Sequence, residues 1–205
     1  MKKMGSARKR KVHDRETTHT DALKGLGVFR LKDAKKLGVS QPTLSRLVFQ
    51  QKILRVGHGW YLHPGSAIEP QYRDFAVACA MFGSKSVVGG PTALFHHNLI
   101  EQVPNQIWIL VDYSQKTRDP LYRCLRTKVN PKEGVEDHKY YRITNIERSI
   151  VEAMRYASKW GQRTAIQAAR NAIAGKLTSE AKIYRQAKAL GLQKVLEKYW
   201  EAVVT

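Results

Sequence analysis

From residue 20 onward, apolar positions recur at helical spacing in short runs punctuated by glycine. Ala22, Leu23 and Leu26 predict a short helix closed by Gly27, and Val28-Phe29-Arg30 predicts a short strand. Residues 31–37 predict a two-turn helix with Ala34 and Leu37 turned inward, and Gly38 stands where a helix ends. Ser40-Gln41-Pro42 reads as the start of the next helix, because serine caps well and proline is tolerated in a first turn. That helix is expected to reach about Gln51, with Leu44, Leu47 and Val48 on its apolar face. Residues 53–56 and 60–63 predict two strands around Gly57-His58-Gly59, and Pro64-Gly65-Ser66 breaks the pattern.

The remainder alternates. Residues 70–82 predict a helix with Phe75, Ala78, Cys79 and Phe82 on one side, and residues 86–88 a short strand. Gly89-Gly90-Pro91 reads as a turn opening a helix over 92–97. Ile107–Val111 is a continuous apolar run, the pattern of a strand buried on both faces. Residues 122–129 and 139–143 predict further strands. Thr144 with Glu147 fits a capping box for a helix burying Ile146, Ile150, Val151 and Met154. Everything after Ala157 reads as helical, punctuated by Gly175 and Gly191. The expected fold class is α+β: an N-terminal winged helix-turn-helix, then a C-terminal mixed α/β domain ending in several helices. The expected boundaries are 1–19 for a flexible basic arm, 20–66 for the first domain and 67–205 for the second.

Charge sharpens the picture. The chain has 36 Lys+Arg against 17 Asp+Glu, a formal net charge of +19, and a polyanion is the default partner of so basic a protein. More than half of that excess falls before residue 69. Residues 1–11 hold six basic residues, no acid and almost no apolar mass, too little to bury for the segment to order itself. The arm, with Arg8, Lys9, Arg10 and Lys11, either lies along phosphates or is a solvated terminus. Two cysteines, Cys79 and Cys124, exclude a disulfide scaffold and a four-cysteine zinc module. No apolar run is long enough to span a membrane, and the N-terminus lacks the apolar stretch of a signal peptide. A cytoplasmic protein with no membrane partner is expected.

A helix entering the major groove needs small, polar or basic side chains outward and apolar ones inward. Ser40, Gln41, Thr43, Ser45 and Arg46 are therefore the candidate base contacts. Lys32, Lys35 and Lys36 stand where phosphates would pass, and Arg55 and His58 decorate the hairpin. The competing reading is that a small helix-turn-helix unit serves dimerisation or protein docking.

Residues 28–64, VFRLKDAKKLGVSQPTLSRLVFQQKILRVGHGWYLHP, resemble the N-terminal winged helix of AbiEi-type antitoxins of type IV toxin–antitoxin systems. The resemblance continues through residues 86–99 (SVVGGPTALFHHNL), through Gln102-Val103-Pro104 with the strand 107–111, and through ITNIERSIVEAMR at 143–155, where the family has Glu-Arg-Thr-Leu-Val-Asp. Ser149, Ile150 and Glu152 replace its Thr, Leu and Asp. The resemblance implies a repressor of its own operon that binds promoter inverted repeats in double-stranded DNA. It also implies a second domain required to neutralise a nucleotidyltransferase-class toxin.

Other chemistry fits less well. Gly83-Ser84-Lys85-Ser86 is no P-loop, since glycine does not directly precede the lysine, and no Asp-x-Asp pair exists for a nucleotidyltransferase. His96 and His97 are adjacent, hence about 100° apart on a helix, and do not chelate from one face. His63 and His138 have no acid or cysteine at ligand spacing. Asp74, Asp112, Glu147 and Glu152 could converge as a nuclease cluster, but Glu147 and Glu152 flanking Arg148 read as cap and solvated face. The expectation is a non-enzyme without cofactor, metal or catalytic residues. Two alternatives are a nuclease-like enzyme targeted by a winged helix and a non-specific DNA-coating protein. Lys182, Arg185, Lys188, Lys194 and Lys198 form a charged face opposite Ile183, Leu190, Leu192, Val195 and Leu196, either solvated or partner-binding.

Overall fold

A computed structural model describes residues 20–128 and 132–205. The chain divides into two units, the first ending at Met81 and the second running from Phe82 to Thr205. Residues 67–81, which the sequence reading set with the C-terminal domain, thus lie with the first unit. Helices and two sheets together make the fold α+β. Among the described residues no helix is long and apolar enough to cross a membrane.

In the first unit residues 20–24 are helical (α1). Strand β1 (Val28–Arg30), helices α2 (Leu31–Lys36) and α3 (Gln41–Phe49), and strands β2 (Leu54–Gly57) and β3 (Trp60–Leu62) follow. A 3-10 turn (Pro70–Tyr72) leads into α4 (Arg73–Phe82), where the sequence pattern predicts one continuous helix. The strands form one antiparallel sheet in the order β1-β3-β2, with Val28 opposite Leu62 and Arg30 opposite Trp60. Leu23, Phe29, Ala34, Val39, Leu44, Leu47 and Ile53 make a continuous core, so both helices bury the face their spacing announces. Leu37 departs from expectation. It lies beyond the last turn of α2 and is 39% exposed, because Val39 takes the inward place after the glycine turn at Gly38 (φ +76°). Helix α3 ends at Phe49, before Gln51, which itself has φ +58°.

The second unit holds β4 (Val87–Val88), α5 (Gly90–His96), β5 (Ile107–Val111), β6 (Tyr122–Arg126), β7 (Val135–Asp137) and β8 (Arg142–Thr144). Among the described residues the helices α6 (Ile146–Arg155), α7 (Ala157–Trp160), α8 (Gln162–Ala174), α9 (Glu180–Ala189) and α10 (Gln193–Val204) follow. The sheet order is β6-β5-β4-β8-β7, with β5/β6 and β4/β8 parallel and the other pairs antiparallel. Helix α6 packs against α5, α8, α9 and α10, and Leu94, Leu99, Ile150, Val151, Met154 and Leu196 are among the residues of the core between them. Helix α5 begins at Gly90, two residues earlier than expected; at Gly90 (φ +57°) a Cβ would come within 3.2 Å of Leu125 and 3.3 Å of Trp108. The cap of α6 is Asn145 rather than Thr144: its side chain accepts the Arg148 N–H at 2.9 Å. The Thr144 hydroxyl instead lies 2.7 Å from that of Ser149, inside the unit.

Candidate nucleic-acid interface

The geometry around α3 begins at its cap. Ser40 Oγ accepts the Thr43 N–H at 3.4 Å and lies 2.9 Å from Thr43 Oγ1. Two of the five candidate base contacts thus spend their hydroxyls on each other at the helix start, and Thr43 is half-buried. Gln41, Ser45 and Arg46 are exposed, while Leu44 and Leu47 between them are buried. On α2, Lys32, Lys35 and Lys36 are exposed while Ala34 is buried, and Asp33 accepts the Arg30 N–H at 3.0 Å to fix the helix entry. Arg55 and His58 are exposed on the β2–β3 hairpin, whose turn uses Gly59 at φ +73°. Arg8, Lys9, Arg10 and Lys11 lie outside the described residues.

Two features of this unit escaped the sequence reading. The Arg30 guanidinium sits 4.2 Å from the Trp60 ring centroid, a cation–π contact made possible by their cross-strand register. Phe49, the last residue of α3, is 89% exposed. Behind the hairpin, His63 Nδ1 accepts the Gly65 N–H at 2.9 Å. Burial, aided by Lys24 and opposed by Asp21, pushes the His63 imidazole pKa down and favours the neutral ring this bond needs.

Among the described residues of the second unit, the candidate acids each have partners of their own. Asp112 pairs with Lys85 at 3.9 Å, and Glu147 accepts the Thr178 hydroxyl at 2.6 Å. Arg148 and Glu152, expected on a solvated face, are both 0% exposed. Their charged groups stand 3.7 Å apart, Arg155 approaches Glu152 at 3.6 Å, and Arg148 donates to the Glu133 carbonyl. Burial pushes the Glu152 carboxyl up against the opposing pull of both guanidiniums. His138 lies 3.7 Å from Glu136, so an acid does stand beside it although the sequence spacing predicts none. Among the described residues no group of three or more His, Cys, Asp or Glu is placed to hold a metal ion. Lys182, Arg185, Lys188, Lys194 and Lys198 are all exposed, and Ile183, Leu190 and Leu196 opposite them are buried.

The chain matches no protein-family model and no curated protein. Among solved structures it is similar to the Rv2827c protein from Mycobacterium tuberculosis. The TM-score is 0.53 at 15% identity, over 82% of this chain and 72% of that one. The likeness is one of fold.

Proposed function

We propose that residues 20–66 form a winged helix-turn-helix that binds double-stranded DNA, and that the protein is a transcriptional repressor of its own operon. The observation that supports this best is the division of α3, where Gln41, Ser45 and Arg46 are exposed while Leu44 and Leu47 are buried. Lys32, Lys35 and Lys36 offer phosphate contacts on the preceding helix, and Arg55 and His58 offer more on the hairpin. The sequence resemblance to AbiEi-type antitoxins extends the proposal to promoter inverted repeats and to neutralisation of a nucleotidyltransferase-class toxin. On this reading the protein acts by binding and not by catalysis.

The test is Arg46→Ala, measured by fluorescence anisotropy on the inverted repeat of the protein's own promoter and on random duplex. Loss of one base contact costs about 1–3 kcal/mol and relaxes selectivity at one position. The expected result is a drop of at least about tenfold on the repeat beyond any drop on random DNA. An equal loss on both would assign Arg46 to the phosphates. Equal affinity of the unmodified protein for both duplexes would reject sequence-specific repression.

A further inference from the structure

Beside β6 in the second unit lies a concavity of about 340 Å³, walled by Lys116, Arg123, Arg126 and Lys159 together with Thr117 and Cys124. Four of these side chains are cationic and none is acidic. Among the described residues none of the four forms an ion pair. Three of them are nevertheless held in place. Arg126 Nε donates to the Gln115 carbonyl at 3.2 Å, which leaves its terminal nitrogens to point elsewhere. The Arg123 guanidinium lies 5.9 Å from the Trp108 ring, and the Lys159 ammonium 5.4 Å from the Tyr156 ring. The Tyr156 hydroxyl donates to the Arg126 carbonyl at 3.2 Å, tying α7's neighbourhood to the strand that carries both arginines. A hollow lined by four like charges and by no acidic side chain is positive, and a ligand's negative charge would complement it.

We propose that this groove binds a small phosphate-bearing molecule of nucleotide size. Arginine forks match phosphate oxygens, and lysines add point charge. The volume lies within the range of small-molecule sites, about 300–1,000 Å³. The strand edge adds polar groups of its own. Strand β6 is the outer strand of its sheet, and the Leu121 carbonyl and Thr127 N–H turn inward to β5. By the alternation of a parallel pair, the backbone N–H and C=O of Cys124 then face outward along the groove, where a planar ring edge can use both. The Thr117 hydroxyl accepts from the Asp119 N–H at 3.0 Å, so its own proton remains to be donated. A duplex backbone is a convex rail and suits a ridge of cations better than a hollow ringed by them. The proposal is independent of DNA binding by α3.

The full chain, titrated calorimetrically at about 0.15 M salt, tests it with inorganic phosphate, pyrophosphate and ATP as probes and a random duplex as a separate arm. Pyrophosphate and ATP should bind, each more tightly than phosphate. Arg123→Gln and Arg126→Gln should each weaken them by about tenfold or more, the effect of losing a charge-assisted contact. Lys139→Ala, outside the groove, should change nothing. If a strand variant unfolds on thermal melting, Lys159→Gln on α7 makes the same measurement. Failure of every small phosphate to bind the unmodified protein overturns the proposal, as does unchanged affinity in the folded variants. Loss confined to the random duplex also overturns it and makes the groove a nucleic-acid contact.

Discussion

The pair Arg148–Glu152 is the most consequential interaction of single residues in the second unit. Both side chains are 0% exposed, and Arg155 adds a second guanidinium, so the carboxylate lies between two cations away from water. Removing one partner of a buried pair leaves an uncompensated charge and costs about 3–5 kcal/mol, whereas replacing both by apolar residues is often neutral or better. Glu152→Ala should therefore lower stability in denaturant melts by about that amount. The double change Arg148→Met with Glu152→Leu should recover most of it. Should the double variant melt lower than Glu152→Ala, the pair would be a positive source of stability rather than a matched liability. The structural role of Glu152 is to neutralise Arg148.

Among the elements, α3, α6 and α9 each start on a capping side chain, and the first two can be compared. Ser40 accepts from Thr43 at 3.4 Å and Asn145 from Arg148 at 2.9 Å. Loss of such a cap typically costs about 1 kcal/mol. Asn145→Ala should cost at least as much as Ser40→Ala in unfolding experiments, because its bond is shorter and the helix it opens lies at the centre of its unit. A larger loss for Ser40→Ala would show that the tight turn before α3, rather than the cap bond, depends on the serine. Elements with a strong period or a glycine turn were legible from sequence: α3, the β2–β3 hairpin and β5 each announce themselves by spacing. Strand β7 did not, because Val135-Glu136-Asp137 is a half-buried outer strand whose polar residues carry no alternation. Buried Arg148 was illegible for a related reason, since a charged residue on a helix reads as solvated until its neighbours are known. The exposed face of α3 could be read in advance from Leu44 and Leu47. The groove at β6 could not, since residues 116, 123, 126 and 159 meet only through the folded sheet and α7.

At the scale of the whole molecule, charge dominates. If the N-terminal arm contacts phosphates, deleting residues 2–11 removes six positive charges, and each neutralised phosphate contributes about 0.9 to the slope of log K against log salt. The shortened chain should show a slope shallower by several units with its preference for the inverted repeat retained, read by anisotropy from low to high salt. An unchanged slope would make the arm a solvated terminus. The two units also differ in how far apart in the chain their partners lie. Among the described residues of the first unit, every strand pair joins residues within one short stretch, from Val28 to Leu62. In the second, the centre of the sheet is the two-residue strand β4, whose Val88 faces Ile143, 55 positions further on. Long-range pairing slows folding, because loop closure must come before the contacts that compensate it. During synthesis, then, the first unit can close as soon as it leaves the ribosome. The second must wait with Ile109, Leu110 and Leu125 uncovered until β8 and α6 have been made, and this interval is when the nascent chain is most open to aggregation and to chaperones.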